Sequence, residues 1–133
     1  MRLIVCLDDR GGMMFGGRRQ SQDRVLRARV MELTRGHKLW MSAYSAKQFA
    51  DFEEILVDDR YAQMAGEEDY CFAEDGAVPL DGVTELIVYR WNRLYPADLY
   101  FDVDLQKNGF SLCSSCEFTG SSHDKITKEI YRR

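Results

Sequence analysis

Apolar residues along this chain come in short runs broken by charge and glycine, and the runs define the expected elements. Leu3-Ile4-Val5-Cys6-Leu7 is continuous rather than alternating, as in a strand covered on both faces, so residues 2–8 are predicted to form a buried first strand. Leu86-Ile87-Val88-Tyr89 repeats the pattern and is β-branched and aromatic, which again favours a strand. A third run, Leu99-Tyr100-Phe101, follows after Pro96. Residues 92–95 have room for about one helical turn before Pro96 returns the chain to an extended path. The Arg90-Trp91-Asn92 corner closes the second run. At the C-terminal end of a strand it is the natural place for a ligand site.

Elsewhere the pattern alternates between the two periods. Residues 12–17 carry Met13, Met14 and Phe15 between glycines and read as a binding loop or lid, or else as three side chains tucked into the core. Residues 21–35 place Leu26, Val30 and Leu33 on one helical face and Arg24, Arg27 and Arg35 on the other; Ser21 is the predicted N-cap and Gly36 the stop. Residues 37–41 predict a strand. Ser45, with Gln48 three residues on, predicts a capping box for a helix reaching Phe52. Strands follow at 54–57 and 70–73, around a short helix at 59–65. Residues 76–82 are turn-rich. Residues 110–118 and 125–131 read as two long strands joined by a loop, with Ile126 and Ile130 alternating against polar neighbours. Helices alternate with strands first and an antiparallel pair comes last. This predicts one α/β domain over residues 1–133, with a mainly parallel central sheet and antiparallel C-terminal strands.

Composition narrows the function classes. With 45% apolar and 30% charged residues the chain is that of an ordinary globular protein. No apolar run approaches the roughly 20 residues of a membrane helix, and the Leu3-to-Leu7 run is too short for a signal peptide, so a cytoplasmic location with four cysteine thiols is expected. The net charge of −4 is unevenly spread. Residues 10–38 hold eight basic and two acidic side chains, +6, which leaves −10 for the rest. The segment, with Arg90 and Arg93 near Tyr89, Trp91 and Tyr95, is a candidate for anions or nucleic acid, against which the overall acidity argues.

Chemistry-bearing motifs are sparse. Cys113 and Cys116 have CxxC spacing, but in a strand they point to opposite faces, which suits neither zinc nor a redox turn, so no metal site is expected. The two histidines, His37 and His123, fall at junctions and loops and read as solvated, and no Ser-His or Cys-His constellation can be anchored on them. Walker and GxGxxG loops are absent.

The residues nevertheless resemble the dihydrofolate-reductase family across most of the chain. RLIVCLDDRGGMMF resembles the family's opening strand and glycine-bearing loop, and the helix from Asp23 leading to Lys38-Leu39-Trp40-Met41 resembles its catalytic-acid helix and second strand. Ala97-Asp98-Leu99-Tyr100-Phe101 is similar to the family's ADxLYLT strand, and residues 109–133 to its closing hairpin. The resemblance implies a three-layer α/β sandwich. It also implies Asp23 as proton-relay acid, with Asp102 where the family has the Thr that bonds that acid. If Asp23 and Asp102 face each other, one carboxyl is pushed up into a general acid. Departures are pointed. Arg90-Trp91-Asn92 replaces the Gly-Gly that admits the cofactor pyrophosphate, and Ser42-Ala43-Tyr44-Ser45 replaces the Gly-Arg-x-Thr phosphate site.

The resulting expectation is a pseudoenzyme of that fold with no bound cofactor, holding an unidentified small ligand or protein partner in the residual cleft. Its lining would be Val5, Cys6, Met14, Phe15, Tyr89 and Trp91, with Asp23 and Asp102 as the carboxylates and Arg18, Arg19 and Arg90 for anions. Replacing Trp91 by Ala is expected to weaken binding with little loss of fold. Alternatives are an NADP-dependent reductase with an altered cofactor site, and an anion or nucleic-acid binder through residues 10–38.

Overall fold

The computed structural model describes residues 1–75 and 78–133. Its centre is β1 (Arg2–Leu7), paired in parallel over its whole length with β7 (Glu85–Arg90), from Arg2 opposite Glu85 to Leu7 opposite Arg90. The other neighbour of β1 is β6 (Tyr70–Phe72), also parallel. Beyond it lie β4 (Leu39–Met41) and β5 (Ile55–Val57), parallel again. On the far side β10 (Ile126–Arg132) runs antiparallel to β7, and β9 (Ser111–Phe118) runs antiparallel to β10. The seven-stranded order is β5-β4-β6-β1-β7-β10-β9. The predicted parallel sheet with antiparallel C-terminal strands is thus what forms.

The two central runs are apolar throughout because both faces are covered. Leu3, Val5, Leu7, Leu86 and Val88 pack on one face; Ile4, Ile87 and Tyr89 pack on the other. Leu26 and Val30 of helix α1 (Arg24–Leu33) cover the second face. The first is covered by Tyr61 of α3 (Tyr61–Met64) and by a small second sheet. That sheet has the order β3-β2-β8, from β2 (Gly12–Phe15), β3 (Arg18–Arg19) and β8 (Leu99–Tyr100).

Several expectations change. Residues 12–17 are not a loose loop: β2 and β3 make a hairpin turning at Gly16 and Gly17, both at positive φ, with Met13 and Met14 in the core and Phe15 54% exposed. The run at 99–101 joins this small sheet rather than the main one. Asp23, not Ser21, caps α1, because its carboxylate is the one that reaches the Val25 and Leu26 N–H groups. Likewise Ser42, not Ser45, caps α2 (Ala43–Ala46), which ends in a 3-10 turn at Lys47–Phe49, short of Phe52. No helix forms over 92–95. Asn92 sits at φ 58 with its amide donating to the Lys125 carbonyl and Thr127 Oγ1, which turns the chain at once. Of the turn expected at 76–82, Gly76 and Ala77 lie outside the described residues, and Leu80–Gly82 is a 3-10 turn.

Tyr89 is fully buried, edge-on to Phe118 at 6.2 Å, and its hydroxyl has no partner among the described residues. An unpaired buried hydroxyl costs about 1–3 kcal/mol, while the ring supplies the packing. Tyr89→Phe is therefore expected to stabilise the chain by about 1 kcal/mol, read as a rise in Tm of a few degrees; a fall in Tm would show that the hydroxyl is satisfied.

Candidate functional site

The chain leaves β1 for one side of the sheet and returns through β6 to β7 on the other. The carboxyl ends of these three strands therefore flank a crevice, the position where open α/β sheets hold ligands. Cys6 ends its β1 wall, Phe72, Ala73 and Glu74 its β6 wall, and Trp91 its β7 wall; Met13, Arg19, Gln20 and Ser21 come over it from the hairpin, and Leu26 and Gln48 close it behind. The space left is about 10 Å3, room for about one water. Two things fill it. Trp91 is 4% exposed. Arg19 makes a two-pronged ion pair with Glu74, at 2.9 and 3.0 Å, while its guanidinium lies 4.4 Å above the Tyr44 ring. Gln20 Oε1 and Gln48 Nε2 are buried here with no partner.

Behind Trp91 stands a polar cluster that joins distant parts of the chain. Asp23 is 2% exposed and accepts from the N–H groups of Val25, Leu26, Ser121 and Ser122. His123 Nδ1 is 2.9 Å from Asp23 Oδ2. An ionised carboxylate only accepts, so Nδ1 carries the proton and donates it. His123 Nε2 then faces two hydroxyls, Ser21 Oγ at 3.0 Å and Tyr95 OH at 2.9 Å. The Trp91 indole stacks on the imidazole with centroids 4.5 Å apart. Burial pushes the Asp23 carboxyl up, but the donors from Ser122, His123, Ser121 and Leu26 outweigh it and hold it well below the usual carboxylate range. Gly120 makes the approach possible: a Cβ there would run into the Asp23 carboxylate and Ile126 Cδ1.

A second buried carboxylate, Asp8, braces the neighbouring corner. It accepts from the N–H groups of Arg10, Gly12 and Tyr95 and from the Gln20 amide. Burial raises its pKa, but the Gly12 and Arg10 N–H groups with Gln20 outweigh that and leave it below the ordinary value. Through Gln20 and Tyr95 this corner fixes both edges of the crevice mouth.

The structure gathers some of the sequence candidates and disperses others. Cys6, Arg19 and Trp91 line the crevice, and Asp23 reaches it through His123. Val5 is core on the opposite face, Met14 packs on that face where Met13 reaches the crevice, and Phe15 is exposed at the hairpin tip. Tyr89 is core against Phe118. Asp102 does not face Asp23. It is exposed beyond β8, while the Asp23 partners come from α1 and residues 121–123, so the carboxylate pair does not form. Arg18 is exposed, and Arg90 is paired with Glu129, whose carboxyl also accepts from Tyr131. Burial pushes the Cys6 thiol up, with Glu74 adding to it, so no thiolate nucleophile stands here. Among the described residues no group of three or more His, Cys, Asp or Glu could hold a metal ion. His123 is the residue that sequence reasoning misses. It is 4% exposed rather than solvated, and it anchors a Ser-His-Asp arrangement. Only the polar Ser121-Ser122-His123-Asp124 turn hinted at it, and spacing could not bring residue 123 to residue 23.

Two outcomes follow from this geometry. The Asp23 pKa is lowered on folding from an unfolded value of about 3.9, so its stabilisation is present above that pH and is lost as pH falls toward its folded value. Asp23→Asn is expected to lose on the order of 3 kcal/mol at neutral pH and to show a shallower decline below about pH 4. Parallel acid limbs in urea titrations of the two chains would contradict this. Trp91→Ala empties a packed wall and is expected to cost about 3–5 kcal/mol, not to leave the fold untouched; a Tm within a degree of wild type would place the indole outside the core.

No family model and no curated protein matches the sequence. Among solved structures, the dihydrofolate reductase of Enterococcus faecalis, complexed with NADP(H) and RAB-propyl, is similar at a TM-score of 0.69 and 13% identity, over 99% of this chain and 95% of that one. Together with the sheet order and the small hairpin sheet, that likeness fixes the architecture: the chain has a divergent dihydrofolate-reductase-like fold.

Proposed function

We propose that this chain is a ligand-binding domain of the dihydrofolate-reductase-like fold that works without a nicotinamide cofactor. One observation carries the reading: the crevice at the carboxyl ends of β1, β6 and β7 retains about 10 Å3, because Trp91 and the Arg19–Glu74 pair occupy it. A nicotinamide ring with a substrate beside it needs several hundred Å3. The α2 N-terminus adds support. Its Ala43 N–H is taken by Asp59 and its Ser45 N–H by Ser42, so neither is left for a phosphate.

What remains open to a ligand is small and polar in its demands. The Gln48 amide offers a donor and the Gln20 carbonyl an acceptor to a small polar molecule, about the size of water with the crevice closed and larger with the hairpin raised. In the basic segment 10–38, Arg18 is exposed while three other arginines are engaged within the chain. Arg19 is held by Glu74, Arg29 lies over the Phe118 ring, and Arg35 pairs with Glu32. No described helix is long and apolar enough to cross a membrane.

Titration of NADPH and NADH, followed by Trp40 and Trp91 fluorescence and by thermal shift, tests the reading. No quenching and no stabilisation at millimolar cofactor is the expected result. Saturable micromolar binding would restore a reductase with an altered cofactor site and refute the cofactor-free reading.

A further inference from the structure

His123 is placed as a base between a hydroxyl and a carboxylate. Its Nε2 is 3.0 Å from Ser21 Oγ and its Nδ1 is 2.9 Å from Asp23 Oδ2, so one ring nitrogen serves each neighbour. A buried network built only to hold a loop would not need its hydroxyl on a cavity wall. Ser21 lines the crevice, at the sheet end where ligands bind, and the same crevice is lined by Gln48, whose Nε2 is a buried donor with no partner among the described residues. An unpaired donor beside a serine nucleophile is what a developing oxyanion requires.

We infer that the crevice is an acyl-transfer site: Ser21 is the nucleophile, His123 its general base, Asp23 the positioning residue, and the substrate a carboxylic ester with a small acyl group. This names the ligand class for the cleft of the proposed function and rests on that reading. In the first step Ser21 Oγ bonds to the ester carbonyl carbon and its proton passes to His123 Nε2. Asp23 holds Nδ1–H and its charge balances the imidazolium. The carbonyl oxygen takes the negative charge, facing the Gln48 amide. The C–O bond to the leaving group then breaks, and His123 returns the proton to the departing alcohol, leaving an acyl ester on Ser21. Water from solvent loses a proton to Nε2 and attacks that ester. A carboxylic acid leaves, and Ser21 recovers its proton.

Two features limit the rate. The crevice holds about one water, so an ester enters only when the β2–β3 hairpin parts from Glu74 by releasing Arg19. Tyr95 OH also lies on Nε2, 2.9 Å away, and competes with Ser21 for its single lone pair. Both slow acylation and predict slow turnover.

The test uses the full chain with p-nitrophenyl acetate, and a fluorophosphonate as irreversible probe. The expected result is slow release of p-nitrophenol and a fluorophosphonate adduct located at Ser21 by peptide mass. Ser21→Ala, which removes only an oxygen, abolishes both with an unchanged melting curve. Asp23→Asn, if folded by circular dichroism, lowers the acylation rate at saturating ester at least tenfold without moving the half-saturating concentration. No adduct, an adduct elsewhere, or equal acylation of wild type and Ser21→Ala overturns the assignment. An Asp23→Asn chain acylated as fast as wild type removes Asp23 from the relay. Failure here with no NADPH binding leaves the cofactor-free reading standing, whereas NADPH binding would sink that reading whatever the ester does.

Discussion

A single buried carboxylate holds the functional end of this molecule together. Asp23 closes the first turn of α1, seizes the turn between β9 and β10 through two backbone N–H groups, and orients His123. Burying a charge is costly unless donors surround it, and here the donors come from α1 and from the turn between β9 and β10. The carboxylate is thus a helix cap, a tether and an electrostatic anchor at once. Trp91 can stack flat on His123 only because that ring is fixed in place from behind.

The same constraint explains why the crevice is narrow. In a fold whose sheet ends usually leave a wide cleft, this chain puts an indole and a guanidinium–carboxylate pair where open space would be. Trp91 is supplied by the end of β7 and kept there by the Asn92 turn, so bulk and backbone geometry act together. Glycine would leave both space and freedom at that point. What the chain gains is a dry pocket in which a few polar atoms face one another at close range, with the low local dielectric that strengthens their interactions.

The central strands were legible because burial on both faces writes itself into sequence as unbroken apolar runs, and the closing hairpin was legible from its length and from the alternation of Ile126 and Ile130. Strands β1, β4, β5, β6, β7, β9 and β10 follow the runs to within a few residues. Caps were less legible. Ser21, Ser42, Ser45 and Asp23 are all plausible by residue type, and only three-dimensional reach decides that Asp23 and Ser42 do the work. The hairpin at residues 12–19 looked like a loop because its glycines are real turn residues while its strands are very short. The site was least legible of all. A histidine in a polar turn carries no mark of burial, and a pairing of Asp102 with Asp23 drawn by analogy gave way to a partner on a different loop. Trp91 lines the crevice, but its size reads equally as a surface anchor or as a core wall.

Asp23 and His123 are a hundred residues apart, and β1 finds its full-length partner only at residues 85–90. A chain emerging from the ribosome therefore presents its most apolar strand early and covers it late. Its charged anchor stays solvated, without its loop donors, until the last hairpin is made. Closing such long loops is slow relative to forming local structure. The reactive corner is consequently assembled in one late event, and a chain cut short before that hairpin would lack the corner altogether.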